Sequence, residues 1–137
     1  MAEFVNPSTV HAPVGSYSHT VSVPPGTQLV FISGQVGMRP DGSVPTSFAE
    51  QVEVVFDNIR SCLAAHGLGL EAVVKLSSYL MPGTDVRTMR EVRQRYFGEH
   101  RPTSTAVYVP QLVSPDFLVE VEAVAAKSAP SATSPAA

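Results

Sequence analysis

The sequence has a single cysteine, Cys62, no tryptophan, and no apolar run approaching the roughly 20 residues of a membrane span. One thiol cannot close an intramolecular disulfide, which agrees with a reducing compartment. The first residues, MAEFVNPSTV, carry no basic segment followed by an apolar stretch, so the expected location is the cytoplasm, without membrane association. No glycine-rich turn leads into a helix, which removes the usual phosphate and dinucleotide cradles. His11, His19, His66 and His100 fall on separate segments without ligand spacing, so no metal site is expected. The net charge of -3 has the wrong sign for a nucleic-acid partner. Five of the nine basic residues, Arg87, Arg90, Arg93, Arg95 and Arg101, nevertheless crowd into residues 87–101. Such a cluster reads first as a solvated helix face and second as an anion-binding surface.

What is present is the composition of one globular domain: 137 residues, 44% hydrophobic and 15% charged. Residues 17–23 alternate, residues 28–34 follow after PPGTQ, and the two read as a hairpin. Gly37, Pro40, Asp41-Gly42 and Pro45 mark a loop. Ser47 and Glu50 have the spacing of a capping box, and Phe48, Val52, Val55, Phe56, Ile59 and Leu63 recur on one helical face until Gly67. Cys62 lies toward that face and is expected to be buried and inert. Residues 72–81 read as a strand. Asp85 is placed to cap a second helix, with Val86, Met89, Val92 and Tyr96 inward, the arginines outward, and an end near Gly98. Residues 104–109 and 117–126 read as two further strands. The domain is expected over residues 1–127, and 128–137, SAPSATSPAA, reads as a disordered tail.

The order ββαβαββ predicts an α+β domain: one mixed sheet with both helices on one face. Yet the last strand carries Phe117, Val119, Val121, Ala123 and Ala125 on one side and Leu118 and Val124 on the other. Strands apolar on both faces want cover on both, and two helices supply only one. A closed cyclic oligomer is therefore expected to cover the second face. Glu120 and Glu122 share a strand face with Cα atoms roughly 7 Å apart. Glu122 reads as solvated near a sheet edge. A glutamate on a covered face must be paired or line a pocket, where Glu120 would serve as a base toward water.

Taken in order, PVGSYSHTV, SGQVG, FDNIRSCLAAHGLGLEAVVKLSSYL, RYFGEHRPTSTAV and FLVEVEAVA resemble the Rid family, the YjgF-type reactive intermediate deaminases, over roughly residues 10 to 127. The resemblance implies a chorismate-mutase-like fold and a homotrimer with a small-molecule pocket at each subunit interface. It also implies hydrolysis of enamines or imines to 2-oxo acids and ammonia, with no cofactor. Tyr17 matches the family's early tyrosine, Gly34 its glycine after the second strand, and Glu120 its glutamate beside the attacking water. The arginine that clamps the substrate carboxylate in deaminating members does not match. Two places after Pro102 stands Ser104, followed by Thr105.

Serine cannot make the paired, charge-assisted contacts of a guanidinium. Three readings follow: deaminase activity is lost; the pocket takes a differently anchored molecule with Ser104 and Thr105 as hydrogen-bond partners; or Arg101, or a helix arginine such as Arg90, replaces the clamp. The last is disfavoured because Pro102 fixes the chain after Arg101. The leading expectation is a trimer that binds a small metabolite through Gly34, Ser104 and Thr105 and hydrolyses a C=N or related bond with Tyr17 and Glu120. Turnover of 2-iminopropanoate itself is not expected, and Ser104→Arg is expected to restore it. The alternative is a non-catalytic binding or regulatory trimer. Some members have been described as ribonucleases, a role that the acidic balance argues against.

Overall fold

The computed structural model describes residues 1–129; residues 130–137, most of the stretch expected to be a disordered tail, lie outside the described residues. The elements are β1 (Glu3–Val5), β2 (Thr20–Ser22), β3 (Gln28–Val36), α1 (Phe48–Ala64), a 3-10 turn (Leu70–Ala72), β4 (Val73–Leu80), α2 (Val86–Phe97), β5 (Thr103–Tyr108) and β6 (Val119–Lys127). The main sheet runs β3-β6-β4-β5. Strand β6 is antiparallel to both neighbours, while β4 and β5 are parallel and joined through α2. This is the expected α+β fold with a mixed sheet, preceded by one short extra strand.

The N-terminal pairing differs from the expected hairpin. Strand β2 pairs with β1, and β3 pairs with β6 at the far edge of the sheet. The reason is a competing docking site: Ser18, just before β2, bridges Thr103 at the start of β5 and draws the segment to the opposite edge.

The helices form where their local signals lie. Ser47 accepts a hydrogen bond from the Glu50 N–H at 3.3 Å, and Gly67 takes a positive φ of 71° beyond the helix end. Asp85 caps α2 by accepting from the Arg87 N–H at 2.8 Å. Val52, Val55, Phe56, Ile59 and Leu63 of α1 are fully buried against Val30, Ile32, Leu76, Leu80, Val119 and Val121 of the sheet and Met89, Val92 and Phe97 of α2. Cys62 is only half-buried, packed at the margin of this core rather than inside it. Arg93 is the other departure. Expected to face outward with the rest of the arginines of α2, it is buried.

Among the described residues no helix lies over the second sheet face. Leu29 and Phe31 of β3 stand exposed there, Phe31 at 74%, beside Val124 on β6. On the covered side, Gln51 is 1% exposed and ties α1 to two loops. Its Nε2 donates to Pro45 O and Asp116 O at 2.9 Å each, and its Oε1 accepts from Leu118 N at 2.9 Å. These loops lead into α1 and β6, so one amide fixes the approach to both.

Gln51→Ala strands two carbonyls and one N–H in the interior, and a loss of about 3 kcal/mol is expected in urea unfolding at fixed protein concentration. A second check concerns alkaline pH. Tyr96 donates to Asp57 Oδ1 at 2.8 Å and to Glu53 O at 3.2 Å. Its hydroxyl is pushed up to about 12, by burial first and then by the bond to Asp57. A raised folded value favours the protonated form, so this contribution is complete below pH 10 and disappears between about 10 and 12. The stability advantage of wild type over Tyr96→Phe should shrink across that window.

Candidate functional site

Ser18 is the local anchor of the site. It is buried; its N–H donates to Pro102 O at 3.1 Å and its hydroxyl donates to Arg101 O. The bridge to Thr103 then sets Tyr17 against the start of β5, where Tyr17, Ser104 and Thr105 line one recess of about 290 Å³ with α2. The Tyr17 oxygen accepts from the Val14 N–H at 3.3 Å, which leaves its own proton for another acceptor. Its ring meets His19 edge-on, and His19 Nε2 donates to His11 O at 2.6 Å.

The parallel register sets Ser104 beside Leu76 and Thr105 beside Ser77. Ser104 therefore turns under α2, and Thr105 faces the open side. Beneath α2 the Ser104 hydroxyl oxygen accepts from Arg93 Nη1 at 3.1 Å. Arg93 is 8% exposed and its Nε has no partner. Burial lowers its pKa first, and the charges of Arg90 and Arg101 lower it further. Arg90 lines the same recess with its guanidinium against Gly15, where an added Cβ would lie 3.4 Å from its Nε. Arg101 is otherwise engaged, donating to Gly98 O at 2.6 Å at the end of α2. Of the two arginines that the sequence offers as replacements, then, Arg90 reaches the recess. Arg93, an arginine of the same helix not singled out from the sequence, also lines it; it lies seven residues after Val86 and four after Met89, on the inward stripe of α2.

Gly34 and Glu120 come together elsewhere. Between Ile32 and Gln35 the pairing of β3 with β6 shifts, so that β3 carries one extra residue opposite Glu122. The bulge brings Gly34 beneath the Glu120 carboxylate, and a Cβ at position 34 would fall inside the contact distance of Glu120 Oε2. Any larger residue must displace the carboxylate. Glu122 is exposed and accepts from the Tyr79 hydroxyl at 2.8 Å, the main cause of the raised Tyr79 pKa.

The five residues singled out from the sequence thus form two groups. Strand β5 is two strand spacings from β6, roughly 10 Å. Glu120 is level with Tyr79 and hence with Val107, and Ser104 lies three residues further, again roughly 10 Å along the strand. Ser104 also faces the helix side, whereas Glu120 faces the open side. One chain holds Tyr17, Ser104 and Thr105 at one sheet edge and Gly34 with Glu120 near the other. Among the described residues no helix is long and apolar enough to cross a membrane.

Residues 9–127 match the family described as Endoribonuclease L-PSP. A RutC family protein of Pyrococcus abyssi is 37% identical over 117 residues, covering 84% of this chain and 89% of that protein. Escherichia coli TdcF, named as a candidate reactive intermediate deaminase, is 28% identical over 94% of this chain and 100% of its own. The crystal structure of TdcF with bound serine matches with a TM-score of 0.69 at 28% identity, over 92% of this chain and 99% of that one. YyfB of Yersinia pestis, from the conserved Rid family, matches with a TM-score of 0.80 at 25% identity, over 90% and 97%. Motif order, fold and relatives agree, and the chain belongs to the Rid (YjgF-type) family, the one described as Endoribonuclease L-PSP.

Proposed function

We propose that this protein is a homotrimer whose interface pockets hydrolyse the C=N bond of a small imine or enamine tautomer, releasing ammonia and the corresponding oxo compound. The observation that carries this reading is the Glu120 carboxylate seated over Gly34 on the sheet face that also exposes Leu29 and Phe31. A neighbouring copy laid on that face would bury Leu29 and Phe31 and bring its β5 edge, with Tyr17 and Thr105, toward Glu120. Membership of a family with reactive intermediate deaminase relatives supports the chemistry, and the serine bound to TdcF supports a small amino-acid-like ligand.

In the proposed step, Glu120 takes a proton from water as the water oxygen attacks the imine carbon and the C=N electron pair moves to nitrogen. Glu120 passes that proton to the nitrogen, giving a carbinolamine. It then takes the hydroxyl proton as the carbonyl forms and hands it to the amine, the C–N bond breaks, and ammonia leaves with Glu120 again a carboxylate. Water supplies the oxygen and two hydrogens, so no redox partner is needed. Tyr17, with its hydroxyl proton free, orients the substrate.

Ammonia release should be detected from at least one member of a panel of aliphatic imines generated in solution. Glu120→Gln should lower kcat by about 10²- to 10⁴-fold with the oligomer intact. Gly34→Ala, which must push the Glu120 carboxylate aside, should lower it by at least about tenfold. A folded protein inert toward the whole panel would leave the binding-only trimer instead. Sedimentation equilibrium resolving a stable monomer at micromolar concentration would remove the interface pocket altogether.

A further inference from the structure

Four of the seven arginines are paired with carboxylates: Arg39 with Glu50, Arg60 with Asp57, Arg87 with Asp85 and Arg95 with Glu53. The other three, Arg90, Arg93 and Arg101, have no carboxylate partner among the described residues, and Arg93 feels the charges of both others. Shortage of acid is not the cause, since the chain has 12 acidic residues to 9 basic ones. Among the arginines, unpaired cations gather only here. The most buried of them, Arg93, is 8% exposed and lines the recess with Tyr17, Val86, Met89 and Arg90. Burying a cation without a counter-charge is costly, and the cost falls when a ligand brings that charge.

The guanidinium is also oriented. Nη1 is held by the Ser104 hydroxyl oxygen, while Nε has no partner and Nη2 makes no hydrogen bond among the described residues. Nε is closed to solvent in the free chain, which leaves Nη2 as the charged donor for a carboxylate entering the recess. Val86 and Met89 give the recess apolar walls, and Tyr17 offers a hydroxyl proton. At about 290 Å³ the recess has the size of a small metabolite.

We propose that Arg93, with Arg90 at the mouth, is the carboxylate anchor of this protein, so that α2 supplies the charge that Ser104 does not supply from β5. The ligand class is a small aliphatic carboxylic acid. Ser104 is then the acceptor that holds the anchor in place, and an arginine at position 104 would meet a like charge rather than fill a gap. This deepens the reading of the pocket as a site for small imino acids and rests on it for the substrate. The anchor itself is tested without turnover.

The test uses the full chain, with butanoate, neutral butanamide and inorganic phosphate as probes in calorimetry and thermal melts at constant ionic strength. Butanoate should bind and raise the melting temperature of wild type, and butanamide should not. Arg93→Met should bind butanoate at least about tenfold more weakly. Without probe it should melt no lower than wild type, since it removes an unpaired buried cation; a purely structural role for Arg93 would lower it. Arg93→Lys, which keeps the charge and loses the guanidinium, should bind with intermediate affinity. Should Arg93→Met not fold, Arg93→Lys and the exposed Arg90→Met carry the test, each expected to be several-fold weaker. No butanoate binding by folded wild type, unchanged affinity in the Arg93 variants, or tighter binding of phosphate than of butanoate would each overturn the proposal. Butanoate binding that depends on Arg93, in a protein that turns over no imine, would overturn the hydrolase reading and leave the anchor standing. Ammonia release with Arg93-independent binding would do the reverse.

Discussion

Two helices can cover only one face of a four-stranded sheet, and the rest of this structure follows from that constraint. The covered face holds Phe56, Ile59, Leu76, Val119 and the other core side chains, which account for the stability of a single chain. The uncovered face keeps Leu29 and Phe31 in contact with water and carries Glu120 over its glycine. A residue's role is decided by which face its strand position gives it. Ser104 and Thr105, adjacent in sequence, part company there: one is engaged by α2, and the other faces the open side.

Three local devices fix the candidate residues against this background. The β3 bulge lets Gly34 accept the Glu120 carboxylate without a Cβ in the way. Ser18 fastens the N-terminal segment to the start of β5 and so places Tyr17. Gln51 holds the approaches to α1 and β6 with three hydrogen bonds from one buried amide. Ser18 and Gln51 take backbone groups as partners, so the side chains around them remain free to differ without moving the frame.

The cationic side of the site is the part hardest to see in the residues. Arg93 belongs to a run of arginines, and a run of charge on an amphipathic helix reads as its solvated face. The same position lies on the apolar stripe defined by Val86 and Met89, so periodicity and charge point in opposite directions. Burial resolves the conflict in favour of periodicity. Within α2, Arg87 pairs with its own cap Asp85, Arg95 reaches Glu53 of α1, and Arg90 and Arg93 have no carboxylate partner among the described residues; only the first of these is a local outcome. The departure at Ser104 is legible at once, as is the match of Tyr17, Gly34 and Glu120 to a family pattern. What Ser104 touches is not.

The two helices and the four strands of the main sheet were legible in the sequence alone, though β1 was not, because capping at Ser47 and Asp85, the glycine stop at Gly67 and the alternation of strand residues are interactions within a few residues of chain. That apolar side chains stand on the second sheet face was legible for the same reason, since alternation assigns each strand residue a side. Tertiary structure alone decided that β2 leaves β3 for β1, that Gly34 lies beneath Glu120, and that Arg93 docks on Ser104. These outcomes set one long-range partner against another, and local preference carries no term for that competition.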